Sequence, residues 1–427
     1  MDPGGGSRRA RHLARLAWPA GAVLALLLSL GQVGREHVGT DFHVFWEAGR
    51  DFAAGLPLYE RAEGARRFIY PPFAAMVFQP LGLLSLDAAA VAFHALSLLL
   101  LAASAMATWR IADAWAPGRR RGALPLLLAI LAVAHIAQSN LARNQTNLLV
   151  LALCLAGILA SANRRPGRAA AWLSAATLIK LTPAVLLGWL AVRGGRRAPV
   201  AIALCLAAGL AAPVVLRGPR QGVRDHAEYV AEFLGPAAAG RVPVRPQNQA
   251  LAAAVERALV PGATGDGRDW AWWPLGAGAA RAVRLAATLA IAAAFVGSLL
   301  LLARRRRPPS LFEPAAAFLT AHLLSSVTWK AHLVTLLFVY YAVLSLPSER
   351  WPRTGRRALA GLAGVILASG LAGRSVTGAR LQAALFGYSA YTGLLLLLLA
   401  ACLVLALAPP ARLGAPDPAG ATGAGRS

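Results

Sequence analysis

Apolar runs of about 20 residues recur along the chain, and they constrain its fold more than any other feature. The core of a bilayer offers no water to backbone amides, and a helix satisfies its own amides within one run. The composition agrees, because 57% of the 427 residues are hydrophobic and only 14% are charged, against about 25% in soluble domains. The sequence therefore predicts an all-α polytopic membrane protein.

Twelve transmembrane helices are predicted from the spacing of these runs. The stretch 169–192 contains Leu181-Thr182-Pro183, and proline removes a backbone donor and disfavours helix at the preceding residue. We therefore expect two short helices there, forming a hairpin that turns at the outer side. The other ten spans are predicted near 18–34, 88–109, 122–139, 146–162, 198–216, 281–303, 311–328, 331–347, 358–373 and 387–408.

The basic residues predict how the helices are oriented. The formal net charge is +25, but many of the 43 Lys and Arg residues stand in short clusters between apolar runs, which is typical of topology signals and not of nucleic-acid binding. With the N-terminus inside, every inner segment is basic, and two long segments, 35–87 and 217–280, lie outside. We expect a multi-pass plasma-membrane protein whose N- and C-termini are cytoplasmic.

The chain is predicted to form one integral-membrane domain, 1–408, followed by a disordered cytoplasmic tail, 409–427, rich in Ala, Gly and Pro. Interfacial helices are expected in both long outer loops. Over 42–53, apolar and polar residues alternate at helical spacing, which is typical of an amphipathic helix in the interface plane. The apolar run 73–86 is interrupted by Pro80, and we expect it to be re-entrant or interfacial.

Unusual polar residues collect on the predicted outer face. Ionisable residues are costly in a bilayer and tend to mark function. Their distribution predicts a cavity at the outer edge of the membrane and not a path across it. The residues placed there are Asp41, His43, Asn144, Gln145, Lys180, Asn248, Gln249, Trp329, Lys330 and His332.

An outer-edge cavity suits a reaction between a lipid-linked sugar phosphate and an acceptor outside the membrane. One carboxylate is needed to take the proton of an acceptor hydroxyl, and Asp41 is the candidate. The phosphate leaves as an anion, so cations and hydrogen-bond donors must hold it, and Lys180 and His332 fit this role. Short helix N-termini near 183 would add positive dipole ends.

An ordered set of motifs over about 36–345 resembles glycosyltransferase family 87, whose members are integral-membrane enzymes of the GT-C type. The segments that carry the resemblance are Asp41-Phe-x-x-Phe-Trp46, Gly55-x-Pro-Leu-Tyr59, Tyr70-Pro-Pro72, Asn144-Gln-Thr-Asn147, Lys180-Leu-Thr-Pro183, Asn248-Gln-Ala-Leu251 and Ser326-Val-Thr-Trp329-Lys-Ala-His332.

The resemblance implies a GT-C-type bundle of about twelve helices that transfers a sugar, commonly mannose, from a polyprenyl-phosphate donor to a lipid or glycan acceptor on the outer face. It implies an inverting displacement with Asp41 as general base and with Lys180 and His332 near the donor phosphate. Further substrate-binding candidates are His43, Trp46, Tyr70, Asn144, Gln145, Asn248, Gln249 and Trp329.

The sequence predicts no metal site and no cofactor besides the lipid-linked sugar. Cys154, Cys205 and Cys402 fall inside apolar runs without metal-ligand spacing, and an Asp-x-Asp metal motif is absent. The expected partners are the donor, the acceptor and membrane lipids.

Two departures from the family pattern stand in the last motif. Ser326-Val327 replaces a Ser-Pro step, and Lys330-Ala331 replaces residues of a paired-histidine stretch, of which His332 is left. These departures leave open the role of His332 and the identity of the donor sugar.

Simpler roles are open for each candidate. Asp41 could cap the interfacial helix, Lys180 could snorkel at a helix end, and the Asn-Gln pairs could be helix caps. For the whole chain, the alternatives are a transporter or flippase of lipid-linked sugars and an inactive envelope scaffold. A transporter predicts ionisable residues near the midplane and a repeat between halves, and the sequence displays neither.

Overall fold

The structure of the protein, a computed structural model, describes residues 41–60, 67–115 and 122–408. Every regular element within these ranges is helical, which confirms the all-α prediction for the described chain. The predicted first span, 18–34, and the predicted tail, 409–427, lie outside the described residues.

The α-helices are numbered in chain order. The first half of the described chain contains α1 Asp41–Ala53, α2 Pro72–Gly82, α3 Leu86–Trp115, α4 Leu124–Leu141, α5 Asn147–Ala162, α6 Pro166–Ile179, α7 Ala184–Arg193 and α8 Ala198–Arg217. The second half contains α9 Pro219–Tyr229, α10 Leu251–Leu259, α11 Ala277–Arg304, α12 Phe312–Leu324, α13 Leu336–Leu344, α14 Arg353–Gly370, α15 Arg374–Gly387 and α16 Ala390–Leu407. Shorter helical turns are Val230–Leu234 (π), Gly235–Ala238 (α), and Lys330–Thr335 and Ser348–Arg350 (both 3-10).

Within the described ranges, five helices are long and apolar enough to cross a membrane: α3, α4, α8, α11 and α16. α14 and α15 together make a sixth candidate, bent by 99° at the break between them. The predicted spans near 146–162, 311–328 and 331–347 contain shorter helices, because polar motifs occupy their ends. The polytopic helical class is confirmed, and the count of twelve spans stays a prediction.

The predicted pair of short helices with a break between them is confirmed. α6 ends at Ile179 and α7 begins at Ala184, directly after Pro183. Lys180 lies at the break in an extended conformation, with φ −151° and ψ 125°. The break therefore places the Lys180 side chain at a helix end and not along a helix face.

The predicted amphipathic helix forms as α1, and protein covers its apolar face. Phe42, Phe45 and Phe52 are buried, and the Phe45 ring stacks on Phe78 of α2 with ring centroids 5.0 Å apart. α2 has 11 residues, and at about 1.5 Å per residue it is about half as long as a hydrocarbon core of about 30 Å. α2 is too short to cross the membrane, which agrees with a re-entrant or interfacial position for 73–86.

The second long loop also contains helices, α9 and α10, and their position at the membrane interface stays a prediction. α10 carries Arg257, whose side chain is buried and donates to the Asn248 carbonyl and to the Ser389 hydroxyl, each at 2.7 Å. This buried arginine ties the loop to the start of α16.

Hydrogen bonds gather several helix ends at one end of the bundle. Asn144, after α4, donates to the Ala90 carbonyl near the start of α3 at 3.1 Å. Asn140, at the end of α4, donates to the Ala331 carbonyl at 3.0 Å. The segments that were predicted to lie outside therefore meet at this end.

A different set of segments meets at the opposite end of the bundle. Arg193, the last residue of α7, donates to the Arg307 carbonyl at 2.6 Å and to the Glu313 carboxylate at 2.7 Å. Both arginines belong to clusters that were predicted to lie inside. The arrangement agrees with the predicted alternation of loops, and the side that each end faces stays a prediction.

Gly49→Ala is expected to lower the free energy of unfolding by about 1–3 kcal/mol through overpacking. A Cβ atom at Gly49 would lie 2.5 Å from the Phe78 carbonyl oxygen, where α1 crosses α2. Gly188→Ala in α7 is the control, since a Cβ there meets no atom within 4 Å. Thermal unfolding of both purified variants measures the difference, and equal midpoints would contradict the close crossing.

Reporter fusions test the orientation of the bundle. A reporter inserted in 217–280 should be active only outside the cell, and one inserted after Arg307 only inside, because the basic clusters remain inside. An inward-facing 217–280 loop would overturn the predicted topology.

Candidate active site

The candidate site begins with Asp41 in the first turn of α1. Gln145 Nε2 donates a hydrogen bond of 2.5 Å to the Asp41 carboxylate. Gln145 belongs to the segment between α4 and α5, so this bond joins the first long loop to the bundle. Both side chains are half-buried, which leaves part of each accessible.

The hydrogen bonds continue from Gln145 to a cation. Asn147 Nδ2 donates to Gln145 Oε1 at 2.7 Å, and Lys180 Nζ donates to Asn147 Oδ1 at 2.6 Å. An ammonium group only donates and a carboxylate only accepts, so the two charged ends fix the orientation of both amides. We call Asp41, Gln145, Asn147 and Lys180 the polar chain. It connects the predicted base to the predicted phosphate ligand.

The turn between α4 and α5 presents both amides of the polar chain. Asn144 adopts the left-handed conformation there, with φ 45°, which asparagine tolerates better than most residues. Its side chain is buried, donates to the Ala90 carbonyl and lies 3.1 Å from His94 Nδ1. The contacts of Asn144 are thus with α3, and they hold the turn in place.

Lys180 is half-buried beside Tyr70, whose ring centroid lies 6.0 Å from Nζ. Burial lowers the pKa of Lys180 to about 7, while the negative charge of Asp41 acts in the opposite direction. Burial, followed by the charge of Asp41, raises the pKa of the Tyr70 phenol, which therefore stays neutral. The charge of Lys180 consequently depends on pH near neutrality.

His332 lies in the 3-10 helix Lys330–Thr335, close enough to Lys180 for electrostatic interaction. The Trp329 backbone N–H donates to His332 Nδ1 at 3.3 Å. Because Nδ1 accepts this bond, the neutral ring carries its proton on Nε2. The Val327 carbonyl accepts a hydrogen bond from this ring, so an anion would compete with that carbonyl for the ring proton. Trp329 was predicted as a substrate-binding residue, and its backbone N–H makes this contact with His332.

Asn140 links this 3-10 helix to the polar chain. Its side chain is fully buried and donates to the Ala331 carbonyl, next to His332. The backbone carbonyl of Asn140 accepts the Gln145 backbone N–H at 3.1 Å. The side chain and the backbone of one buried residue thus fix the spacing between the two parts of the site.

Asn248 and Gln249 are buried beside the last motif, 326–332, and Asn248 bonds to its backbone. Asn248 Oδ1 accepts the Thr328 backbone N–H at 2.8 Å, and its Nδ2 donates to the Ser326 carbonyl at 2.9 Å. The Gln249 side chain donates to the Phe386 carbonyl at 3.0 Å. Both residues are buried. The structure thus gives them partners in the protein backbone, and their contact with substrate stays a prediction.

The two other candidates on α1 have partners in the first long loop. Trp46 Nε1 donates to the Leu84 carbonyl at 3.1 Å, and the Arg50 guanidinium lies 4.8 Å from the centroid of its ring. His43 Nε2 lies 3.5 Å from the Glu47 carboxylate. His43 and Trp46 are half-buried, and their contact with substrate also stays a prediction.

Two residues of the site, Asn140 and Asn147, are not among the candidates that the sequence predicts. Both are buried amides at the ends of apolar helices. A buried amide must find polar partners, so its position beside an apolar run is the signal that could have identified them.

The arrangement provides a proton acceptor at one end of the polar chain and a cation at the other. A carboxylate can take a proton from a hydroxyl, and an ammonium can bind a phosphate oxygen. Within the part of the chain that the structure describes, no group of three or more His, Cys, Asp or Glu residues is placed to hold a metal ion.

Comparison with known proteins agrees with this chemistry. The chain is 29% identical over 338 residues to a polyprenol-phosphate-mannose-dependent alpha-(1-2)-phosphatidylinositol mannoside mannosyltransferase of Mycobacterium tuberculosis, and the match covers 75% of this chain and 72% of that protein. Residues 68–326 match glycosyltransferase family 87, and this range includes Lys180 and the turn that carries Gln145 and Asn147. The protein therefore belongs to glycosyltransferase family 87.

Proposed function

We propose that this protein transfers mannose from a polyprenyl-phosphate donor to a lipid or glycan acceptor at the outer face of the plasma membrane. The polar chain carries this proposal, because it joins a carboxylate to a cation through two oriented amides. The mycobacterial relative supports mannose as the sugar, since its name specifies a polyprenol-phosphate-mannose donor. In this proposal the GT-C-type bundle has twelve spans and cytoplasmic termini.

The proposed reaction is a single displacement with inversion at the anomeric carbon. The oxygen of the acceptor hydroxyl forms the new bond to that carbon while its proton moves to the Asp41 carboxylate. The bond between the anomeric carbon and the phosphate oxygen breaks, and its electron pair leaves with polyprenyl phosphate. Asp41 then releases the proton to water.

Gln145 orients the base in this mechanism. Its Nε2–H bond fixes one oxygen of the Asp41 carboxylate. A carboxylate has about four lone-pair positions, so a bonded oxygen keeps the capacity to accept a proton. Gln145 therefore restrains the rotation of Asp41 without taking away its basic function.

Lys180 and His332 hold the leaving phosphate. Negative charge grows on the phosphate oxygen as the bond to the sugar breaks, and charge-assisted hydrogen bonds stabilise that charge. The bond from Lys180 to Asn147 keeps the ammonium at the helix break, where the N-terminus of α7 adds a positive dipole end.

The departures in the last motif leave the polar chain complete. Val327 and Ala331 belong to the segment around His332, whereas Asp41, Gln145 and Lys180 come from three other segments. A complete polar chain supports an active enzyme over an inactive scaffold, because half-buried charged groups without function would be costly to keep.

Asp41→Asn is expected to lower kcat for sugar transfer about 10²–10⁴-fold, because an amide cannot take the acceptor proton. The assay incubates purified protein with radiolabelled polyprenyl-phosphate sugars and membrane acceptors, and the mannosyl donor should be used best. Asp51→Asn on the same helix is the control and should retain activity. Full activity of folded Asp41→Asn would remove Asp41 from the mechanism, and a wild type that uses none of the donors would refute the proposed function.

The KM for the donor is expected to rise about tenfold between pH 6 and pH 8, because Lys180, with a pKa of about 7, loses the charge that binds phosphate. The donor is a phosphodiester and keeps its charge over this range. Lys180→Arg should flatten the pH dependence, since arginine stays protonated. A wild-type KM that is constant from pH 6 to pH 8, or the same slope in Lys180→Arg, would contradict this role.

A further inference from the structure

A buried histidine, His322 of α12, stands next to the donor-phosphate residues and has half of its hydrogen-bonding capacity unused. Its side chain is 5% exposed. Nε2 lies 2.7 Å from Thr335 Oγ1, whereas Nδ1 is buried and has no partner among the residues that the structure describes. A buried polar atom without a partner is uncommon in folded proteins, so this nitrogen needs an explanation.

Three observations place His322 beside His332. Thr335, the partner of His322, and His332 are three positions apart in the same 3-10 helix, where side chains at this spacing lie one above the other. The Thr328 hydroxyl donates to the His322 carbonyl at 2.6 Å, which fixes the end of α12 against the last motif. Lys180 is close enough to interact electrostatically with both histidines.

The last motif, 326–332, supplies a single imidazole, that of His332. His322 brings another ring to the same neighbourhood from a different helix. If the Thr335 hydroxyl donates to Nε2, the neutral ring carries its proton on Nδ1 and can donate it to an anion.

We propose that His322 is a further ligand of the donor phosphate, to which it donates through Nδ1–H beside Lys180 and His332. This inference rests on the proposed function, because it assumes that a polyprenyl phosphate occupies the site. A phosphate oxygen would then satisfy the unpartnered nitrogen. Thr335 has a positioning role, since its hydroxyl selects the tautomer of His322.

His135 offers a matched comparison. Its Nε2 lies 3.1 Å from the Ser369 carbonyl, and its Nδ1 is also buried without a partner among the described residues. Its neighbour Ser369 belongs to α14, a helix that carries no residue of the polar chain. An unpartnered nitrogen therefore does not by itself indicate a ligand, and the location of His322 beside Lys180 and His332 makes the difference.

Binding of polyprenyl phosphate to the purified full-length protein tests the proposal. This probe is the product common to every polyprenyl-phosphate sugar, so the result does not depend on which sugar is used. His322→Gln keeps a polar group near the position of Nε2 and loses the one at Nδ1, and its Kd should rise about 10- to 100-fold. His322→Asn keeps a donor at the position of Nδ1 and should bind about as tightly as the wild type. His135→Gln should not change the Kd.

The outcomes separate this inference from the proposed function. If folded His322→Gln binds polyprenyl phosphate with the Kd of the wild type, the proposed role of His322 is overturned and the proposed function stands. Equal weakening by His135→Gln would also overturn it, because the effect would then be general. If His322→Gln fails to fold, a folded His322→Asn variant that has lost binding would refute the proposal. A wild type that binds no polyprenyl phosphate would refute the proposed function and this inference with it.

Discussion

The hydrogen-bonded connection between a carboxylate and an ammonium through two amides is the constraint around which this end of the bundle is built. Charged groups at a membrane edge are costly unless polar partners compensate them. Gln145 and Asn147 meet this requirement, and they do so from a turn between two apolar helices. The connection joins residues of α1, of the turn between α4 and α5, and of the break after α6. These hydrogen bonds can form only when all three segments are correctly placed.

Buried amides at helix ends set these positions. Asn140, Asn144 and Asn248 each donate a hydrogen bond to a backbone carbonyl of another segment. An amide carries both a donor and an acceptor, so it can bridge two backbone segments without introducing a charge. Contacts between apolar side chains and lipid do little to fix the position of one helix along another, because any apolar residue is compatible with lipid. The amides therefore add a specificity that the lipid-facing surface cannot give.

Local patterns in the sequence predict the helical class, the break before Pro183 and the amphipathic helix α1, because these depend on composition, proline chemistry and periodicity within one segment. Hydrogen-bond partners depend on packing between distant segments, and the sequence does not display them. Asn147 stands in one of the motifs and beside an apolar run, but its bond to Lys180, 33 residues away, is visible only in the structure. Asn248 and Gln249 were predicted as substrate ligands from their motif, whereas the structure gives them backbone partners.

Charged groups are paired directly at one end of the bundle and are joined through amides at the other. This difference indicates which end can react. At one end, Glu313 is buried and its oxygens accept bonds from Arg193, Trp189 Nε1 and the Ser310 backbone N–H. This pairing saturates the carboxylate, so it serves structure. At the other end, two amides stand between the half-buried Asp41 and Lys180. Lys180 donates to a neutral amide and not to a carboxylate, so a phosphate oxygen can compete for its protons, and a transfer reaction with an anionic leaving group requires such a cation as well as a base.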